Sequence, residues 1–157
     1  MRGKRAEKRK LEPDPIYNSR LVSRLVTRVM EEGKKKTAES MVYKAFDKIK
    51  ESGKNPLEVF EASVKNVGPR MEVRPRRIGG ASYQVPVEVK GDRRESLALR
   101  WIVSNAASRP NKEYKTMVDK LSAELLDASA GAGGAIKKRD EVHRIAEANK
   151  AFAHFRW

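Results

Sequence analysis

The residues of this chain that could bind a ligand together are its arginines and lysines, because they recur in short, dense groups. The first ten residues hold six bases against one acid, and residues 34–36 and 137–139 are each three consecutive bases. Residues 70–94 hold seven bases against three acids. These four segments carry a net charge of +15, so the other 116 residues are close to neutral. Charge concentrated in this way indicates a polyanionic partner.

The bases at 70–94 are mostly arginines, whose planar guanidinium suits phosphates and can stack on bases. A simpler explanation is an edge strand protected by charge against aggregation, but that needs only one or two charges, commonly lysine. For the N-terminal bases the alternatives are a disordered solubilising end or a segment that orders on RNA. The candidate RNA-binding residues are Arg2, Lys4, Arg5, Lys8, Arg9, Lys10, Lys34, Lys35, Lys36, Arg70, Arg74, Arg76, Arg77, Arg93, Arg94, Lys137, Lys138 and Arg139.

The distribution of these bases also bears on the kind of nucleic acid. Small DNA readers concentrate specificity on one recognition helix in the major groove. Here the charge comes from several segments that are not contiguous, which favours a folded RNA over a straight duplex. A generic basic DNA-binding protein is the alternative.

Enzyme-like motifs are weak in this sequence. The glycine-rich run at 129–135 is not a phosphate loop, because Ile136 stands where a P-loop or dinucleotide motif starting at Gly131 needs glycine or alanine. We interpret the run as a flexible helix-to-helix linker, with room for backbone N–H contacts to a phosphate. The two histidines, His143 and His154, lack further metal ligands at suitable spacing, and the chain has no cysteine. We therefore expect no enzyme activity, metal, cofactor or small-molecule substrate.

Three helices are predicted before the arginine-rich group. The first has Ser19 as its N-cap and Gly33 as its stop, and the second ends at Gly53. The third begins at Asn55 and Pro56, a capping residue followed by a proline at the first helical position. Apolar residues at helical spacing fill all three segments.

The period of apolar residues changes to two after residue 70. Alternation over 71–73 and 83–89 predicts two strands joined by the turn residues Gly79 and Gly80. Pro75 and Pro86 cannot donate hydrogen bonds to a neighbouring strand. A free, projecting ribbon is therefore favoured over a strand pair inside a core sheet.

The register of this ribbon is left open by the sequence. A two-residue loop places Arg76 opposite Tyr83, whereas a bulge would exchange the two faces. Tyr83, near the tip, offers one surface for stacking on a base.

Helical spacing resumes after the ribbon. Asp92 and Glu95 have the spacing of a capping box for the fourth helix, and Arg109–Pro110 ends it. A fifth helix covers 117–125, and the sixth carries the apolar residues Val142, Ile145 and Phe152. The predicted fold class is mainly α: a single bundle of about six helices, with a two-stranded ribbon between helices three and four. We expect a basic extended tail over 1–18 and a helical RNA-binding domain over 19–157, with the ribbon at 71–89.

No apolar stretch approaches the ~20 residues of a membrane span, and the N-terminal bases are not followed by the apolar run of a secretory signal. We therefore expect a cytoplasmic protein without a membrane partner.

Four segments resemble the family of ribosomal protein seven of the bacterial small subunit. They are residues 32–36 (Glu-Gly-Lys-Lys-Lys), residues 66–86 with the specific run Arg-Arg-Ile-Gly-Gly-Ala-Ser-Tyr-Gln-Val-Pro, residues 96–101 and residues 148–157. The resemblance runs from the basic N-terminus to the last residue. It implies a six-helix bundle with a ribbon between the third and fourth helices. It also implies binding to the 3′ major domain of small-subunit rRNA and a role in nucleating head assembly.

The resemblance further implies that the ribbon lies at the subunit interface near the exit-site tRNA, with ribosomal protein eleven of the small subunit as a neighbour. The bases named above match the family's basic segments, and Gly79 and Gly80 match its ribbon turn. Phe152 and Phe155 stand where relatives often have tyrosine, and Pro75 replaces a commoner small polar residue. Some members repress their own message.

Overall fold

The computed structural model describes Gly3 and residues 11–155. Within that part the chain forms six α-helices, two strands and a C-terminal 3₁₀ helix. Their bounds are α1 Arg20–Val29, α2 Lys35–Glu51, α3 Pro56–Val67, β1 Met71–Ile78, β2 Ala81–Glu88, α4 Gly91–Ala107, α5 Met117–Ser129, α6 Gly134–Ala148 and the 3₁₀ helix Lys150–Phe155. The predicted fold class, a helical bundle with a ribbon between the third and fourth helices, is confirmed. None of the helices in the described part combines the length and apolarity that a bilayer crossing requires.

The core forms around α5, which packs against α2, α3 and α4. Leu121 and Leu125 of α5 are fully buried, as are Phe46 of α2 and Phe60 of α3. The two phenylalanine rings lie 5.6 Å apart between centroids. Burial of each such side chain contributes about 1.5–3 kcal/mol, so this cluster holds the helices that present the basic groups.

Local signals account for several element ends. The side chain of Asn55 accepts a hydrogen bond from the backbone N–H of Leu57, and Pro56 occupies the first position of α3, as predicted. The first helix ends at Val29 rather than at Gly33. Met30 already has an extended backbone, and the chain reverses at Glu32 and Gly33, which both have positive φ.

The predicted capping box at the start of α4 is wrong. The helix begins at Gly91, and its N-cap residue, Lys90, makes no side-chain cap bond. Asp92 and Glu95 instead bind the guanidinium of Arg24 on α1, with 2.8 Å between Arg24 Nη2 and Asp92 Oδ1. Arg24 of the neighbouring helix therefore binds the two carboxylates, which the capping-box pattern predicted to accept backbone N–H bonds.

The ribbon has the two-residue turn that was one of the two predicted alternatives. Gly79 and Gly80 have φ of 57° and 90°, values that favour glycine and suit a tight hairpin turn. Arg76 consequently lies opposite Tyr83, and Arg77 lies opposite Ser82. The ribbon is not free, because β1 and β2 both contact α6 and β2 also contacts the 3₁₀ helix.

The last two helices depart from the prediction in extent and orientation. Four residues, 130–133, connect α5 to α6, so the predicted seven-residue linker is shorter by the three residues that belong to the two helices. Ile145 was predicted to be an apolar position of α6 but is 39% exposed, whereas Ile136 and Ala146 are buried. Phe152 belongs to the 3₁₀ helix, which follows α6 after Ala148.

Residues before α1 fold against the bundle. Asp14 is buried, and its carboxylate accepts hydrogen bonds from the backbone N–H groups of Ile16 and Tyr17. The hydroxyl of Tyr43 donates to the same carboxylate at 2.7 Å, and the Tyr17 ring packs on Phe46. The described part of the segment predicted to be an extended tail, residues 11–18, therefore contains a turn that is anchored to α2.

Candidate nucleic-acid interface

The predicted RNA-binding residues lie on several separate elements. The six N-terminal bases, Arg2, Lys4, Arg5, Lys8, Arg9 and Lys10, lie outside the described residues. The others lie at the start of α2, along β1, at the start of α4 and in the first half of α6. No group of three or more histidine, cysteine, aspartate or glutamate side chains in the described ranges could hold a metal ion.

Arg76 and Arg77 lie near the tip of the ribbon and are exposed. They are adjacent in β1, so their side chains leave the strand on opposite faces. Neither guanidinium has an ion-pair partner in the described part of the chain. These two arginines are therefore available to an external anion.

At the base of the ribbon, Glu72 holds two other candidate arginines. Arg74 Nε donates to its carboxylate at 2.7 Å and Arg93 Nη2 at 2.9 Å. Burial acts to raise the pKa of Glu72, but the hydrogen bonds from Arg93 and Arg74 outweigh burial, and its pKa lies below the ordinary value. The ionised carboxylate thus connects β1 to α4, while about half of each arginine side chain stays exposed.

Three lysines occupy the start of α2, where a helix favours negative charge. Lys34 is the N-cap residue, Lys35 and Lys36 follow it, and the first turn contains no acidic residue. Positive charge at this end opposes the helix dipole, by about 0.3–1 kcal/mol for each such charge. Lys34 pairs with Glu32 at 2.6 Å, whereas exposed Lys36 has no ion pair among the described residues. Within the helix, only Lys35 gains an ion pair, with Glu39 at 3.5 Å, so an external anion explains the placement of Lys36 better.

The basic group on α6 has both exposed and anchored members. Lys137 is exposed, and Lys138 pairs with Glu141 at 2.8 Å. Arg139 is turned toward α3, where its Nη1 donates to the carbonyl of Asn66 at 2.7 Å.

Arg94 makes a similar contact with α3. Its Nε donates to the carbonyl of Gly68 at 3.1 Å. Arg70, just before β1, donates its backbone N–H to Nε2 of His143 at 2.9 Å. The fold therefore brings together Arg70, Arg94 and Arg139, which are far apart in the sequence.

Two features proposed for ligand contact have partners within the chain. The Tyr83 ring lies 5.3 Å from that of Phe152 and 5.4 Å from that of Phe155, so its interpretation as a platform for bases loses support. At the start of α6, the N–H of Ala135 donates to the buried carboxylate of Glu124 at 2.8 Å. That carboxylate takes a place that a phosphate could have occupied at the glycine-rich segment.

Sequence reasoning missed a groove of about 640 Å³ between α1 and α4. Arg28 and Arg93 line it together with the hydroxyl-bearing side chains of Thr27 and Ser96. Arg28 is exposed on the polar side of α1. Arg20, Arg24 and Arg28 recur at every fourth residue off the apolar stripe, and this spacing was the available signal, but it does not reveal that α4 forms a second wall.

Comparison with known proteins gives consistent results. A sequence model of the family described as ribosomal protein S7p/S5e matches residues 1–150. The chain is 57% identical over 151 residues to small ribosomal subunit protein uS7 of Carboxydothermus hydrogenoformans, with 96% of this chain and 95% of the relative covered. It is also 57% identical over 157 residues to the protein of that name from Streptococcus sanguinis, with 99% of each chain covered.

Proposed function

Because this chain belongs to the ribosomal protein S7p/S5e family, it is a structural protein of the small ribosomal subunit, and we propose that it binds the 3′ major domain of the rRNA. The family is structural rather than enzymatic, and its place is the cytoplasmic ribosome. The predicted family and the prediction that the chain is not an enzyme are therefore confirmed.

The observation that carries the rRNA proposal is the placement of uncompensated cations on elements that the core holds in fixed positions. Arg76 and Arg77 have no ion pair in the described residues, and Lys36 lies at a helix start that disfavours positive charge. A rigid set of separated cations fits one folded RNA better than the single groove of a duplex.

The mechanism is binding without catalysis. Lysine and arginine side chains displace counterions from the RNA backbone, so affinity falls steeply as salt is added. Specificity comes from the fixed distances between the start of α2, the ribbon and the start of α6, which match one RNA shape. Bound in this way, the protein holds the helices of the 3′ major domain together and nucleates assembly of the head.

The exposed ribbon tip supports a second contact. We propose that the ribbon lies at the subunit interface near the exit-site tRNA, with Arg76 and Arg77 facing its phosphates. Ribosomal protein eleven of the small subunit is the proposed protein neighbour. These two contacts follow from the family resemblance at residues 66–86 and 148–157.

Binding to a transcript of the 3′ major domain across a salt series tests the main proposal. Scrambled RNA and duplex DNA of equal length serve as competitors. We expect tight binding that resists both competitors and has a steep salt slope. Equal competition by all three nucleic acids would favour the alternative, a generic basic DNA-binding protein.

A further inference from the structure

A cleft lined by cations lies where the end of α3 meets the start of α4 and the middle of α6. Its volume is about 360 Å³. Four basic side chains line it, and no acidic residue of the described chain is among its lining residues. The basic residues are Lys65, Arg70, Arg94 and Arg139.

Two of these guanidinium groups are positioned before any ligand arrives. Arg94 Nε donates to the carbonyl of Gly68, and Arg139 Nη1 donates to the carbonyl of Asn66. Both carbonyls belong to the C-terminal end of α3, whose partial negative charge favours cations. The side-chain amide of Asn66 is itself bonded to the carbonyls of residues 128 and 129 at the end of α5. The arginines are therefore attached to rigid backbone. Arg139 also pairs with Asp140 through Nε and Nη2, whereas Arg94 has no ion pair in the described residues and keeps further N–H donors for an oxyanion.

Gly68 is required for the close approach of Arg94. A Cβ atom added at this position would lie 2.9 Å from Arg94 Nε and 3.1 Å from the carbonyl oxygen of Val64. The φ of Gly68 is −60°, which any residue adopts, so space and not backbone conformation calls for glycine here. A methyl group at residue 68 would move the guanidinium of Arg94 without removing its charge.

His143 lines the same cleft and is neutral. Its Nε2 atom accepts the N–H of Arg70, which requires an unprotonated nitrogen. Burial lowers the pKa of His143, and the charges of Arg139, Arg70 and Arg94 lower it further against the opposing effect of Asp140. The positive charges of three guanidinium groups from separate segments therefore all affect the pKa of one imidazole ring. The ring lies where the electrostatic potential of the three groups adds up.

We propose that this cleft binds one phosphate group of the RNA backbone. The inference rests on the proposed function and adds to it the ligand group and the residues that hold it. Several guanidinium groups around one point suit a phosphate, whose oxygens accept several N–H bonds at once. A phosphate contact of this kind fixes the register of the RNA and carries no sequence information. The cleft thus positions the rRNA on the bundle.

The first test uses the full-length protein without RNA, with inorganic sulfate as the probe at constant ionic strength set by sodium chloride. The chain has two histidines, so the ring proton resonances of His143 and His154 are easily assigned by NMR. A bound dianion stabilises the protonated imidazole, so we expect a saturable rise in the pKa of His143 and none at His154. A linear change of equal size at both rings would mean diffuse screening and would overturn the proposal.

Variants then locate the site. Gly68→Ala keeps every charge but displaces Arg94, and Arg94→Gln removes one cation without filling the space. Both should abolish the saturable response. The matched control is Arg100→Gln, which alters an exposed arginine on α4 that does not line the cleft. A full sulfate response in both Gly68→Ala and Arg94→Gln would contradict the assignment.

RNA binding separates this inference from the proposed function. With the 3′ major domain transcript, Arg94→Gln should reduce the salt slope by about 1. Gly68→Ala should also weaken binding severalfold, and Arg100→Gln should do less. If the wild type binds the transcript but the first two variants bind equally well, the cleft inference fails alone. If the wild type shows sulfate binding but no preference for the transcript, the proposed function fails.

Binding of poly-glutamate that the same variants abolish, with RNA binding unaffected, would assign the cleft to an acidic protein partner.

Discussion

The rings of Tyr83 and Phe152 lie 5.3 Å apart at an interplanar angle of 53°, and this pair joins the ribbon to the C-terminal 3₁₀ helix. Phe155 approaches the same tyrosine at 5.4 Å. The 3₁₀ helix therefore supports β2 at a residue near the tip, where the strand pairing alone would leave the ribbon free to bend.

Phe152→Ala should loosen the ribbon without unfolding the bundle. An aromatic pair contributes about 0.5–1.5 kcal/mol beyond its buried area, so amide exchange in β2 should speed up by roughly twofold to thirteenfold. Hydrogen exchange followed by mass spectrometry measures this change. Ile145→Ala is the control, because Ile145 is an exposed apolar residue on α6. Unchanged protection of β2 in Phe152→Ala would show that the 3₁₀ helix does not support the ribbon.

Arg109→Met should destabilise the whole domain. Arg109 Nε donates to Glu124 at 2.8 Å, and the Glu124 side chain is only 1% exposed, so the substitution leaves a buried carboxylate without its cation. We expect a loss of about 3 kcal/mol, the lower end for buried pairs, because Arg109 is itself 13% exposed. Urea unfolding measures the loss. Lys150→Met, which removes an exposed pair with Glu147, should leave the urea midpoint unchanged. An equal effect of both substitutions would contradict a special role for the buried pair.

Asp119→Asn should lower stability in a pH-dependent way. Hydrogen bonds from Lys48 and Thr116 lower the pKa of Asp119 to about 2. Because this folded-state pKa lies below the unfolded value of 3.8, the ionised form stabilises the fold above pH 3.8, and that contribution disappears as the pH falls toward 2. Thermal unfolding of the two proteins should therefore differ at pH 7 and converge near pH 2. A constant difference across this range would point to lost packing instead.

Removal of residues 1–10 should weaken binding to the 3′ major domain and leave helicity intact. Six bases are lost, so the salt slope should fall by at most about 5, less if some of them do not contact phosphate. Filter binding across a salt series and circular dichroism measure the two quantities. An unchanged affinity and slope would exclude the tail from the interface.

Reversal of charge at the ribbon tip should impair RNA binding but not folding. The double variant Arg76→Glu, Arg77→Glu alters two exposed side chains without ion pairs in the described residues, so stability should change by no more than about 0.5 kcal/mol. The salt slope should fall by about 2. Lys50→Glu with Lys54→Glu, two exposed lysines around the end of α2, is a control of equal charge. A large loss of thermal stability in the ribbon variant would mean that the tip supports the core.

Much of the fold could be read from local chemistry. Asn55 and Pro56 indicate the start of α3, and Gly79 and Gly80 indicate the hairpin turn. Both could be predicted because helix capping and tight turns depend on residues that are adjacent in the chain. The alternation of apolar residues in the ribbon is equally local. The family was recognisable from the specific run at 76–86, and the same segments indicated RNA as the partner.

Contacts between residues that are distant in the chain decided the features that the sequence did not predict. Asp92 and Glu95 have the spacing of a capping box, yet Arg24, 68 residues before Asp92, binds both carboxylates. The composition of the glycine-rich segment indicates a flexible loop, and no local feature reveals that Glu124 accepts the N–H of Ala135.

In the basic cleft, too, one part was predictable from the sequence and another depended on the tertiary structure. Composition alone identifies Arg70, Arg94 and Arg139 as cations suited to a polyanion. Their meeting around His143 depends on how α3, α4 and α6 pack, and apolar periodicity determines which face of a helix is buried but not which neighbour it meets. The sequence by itself therefore determined the helices, the ribbon and the kind of partner, whereas the tertiary structure decided which cations converge on one point.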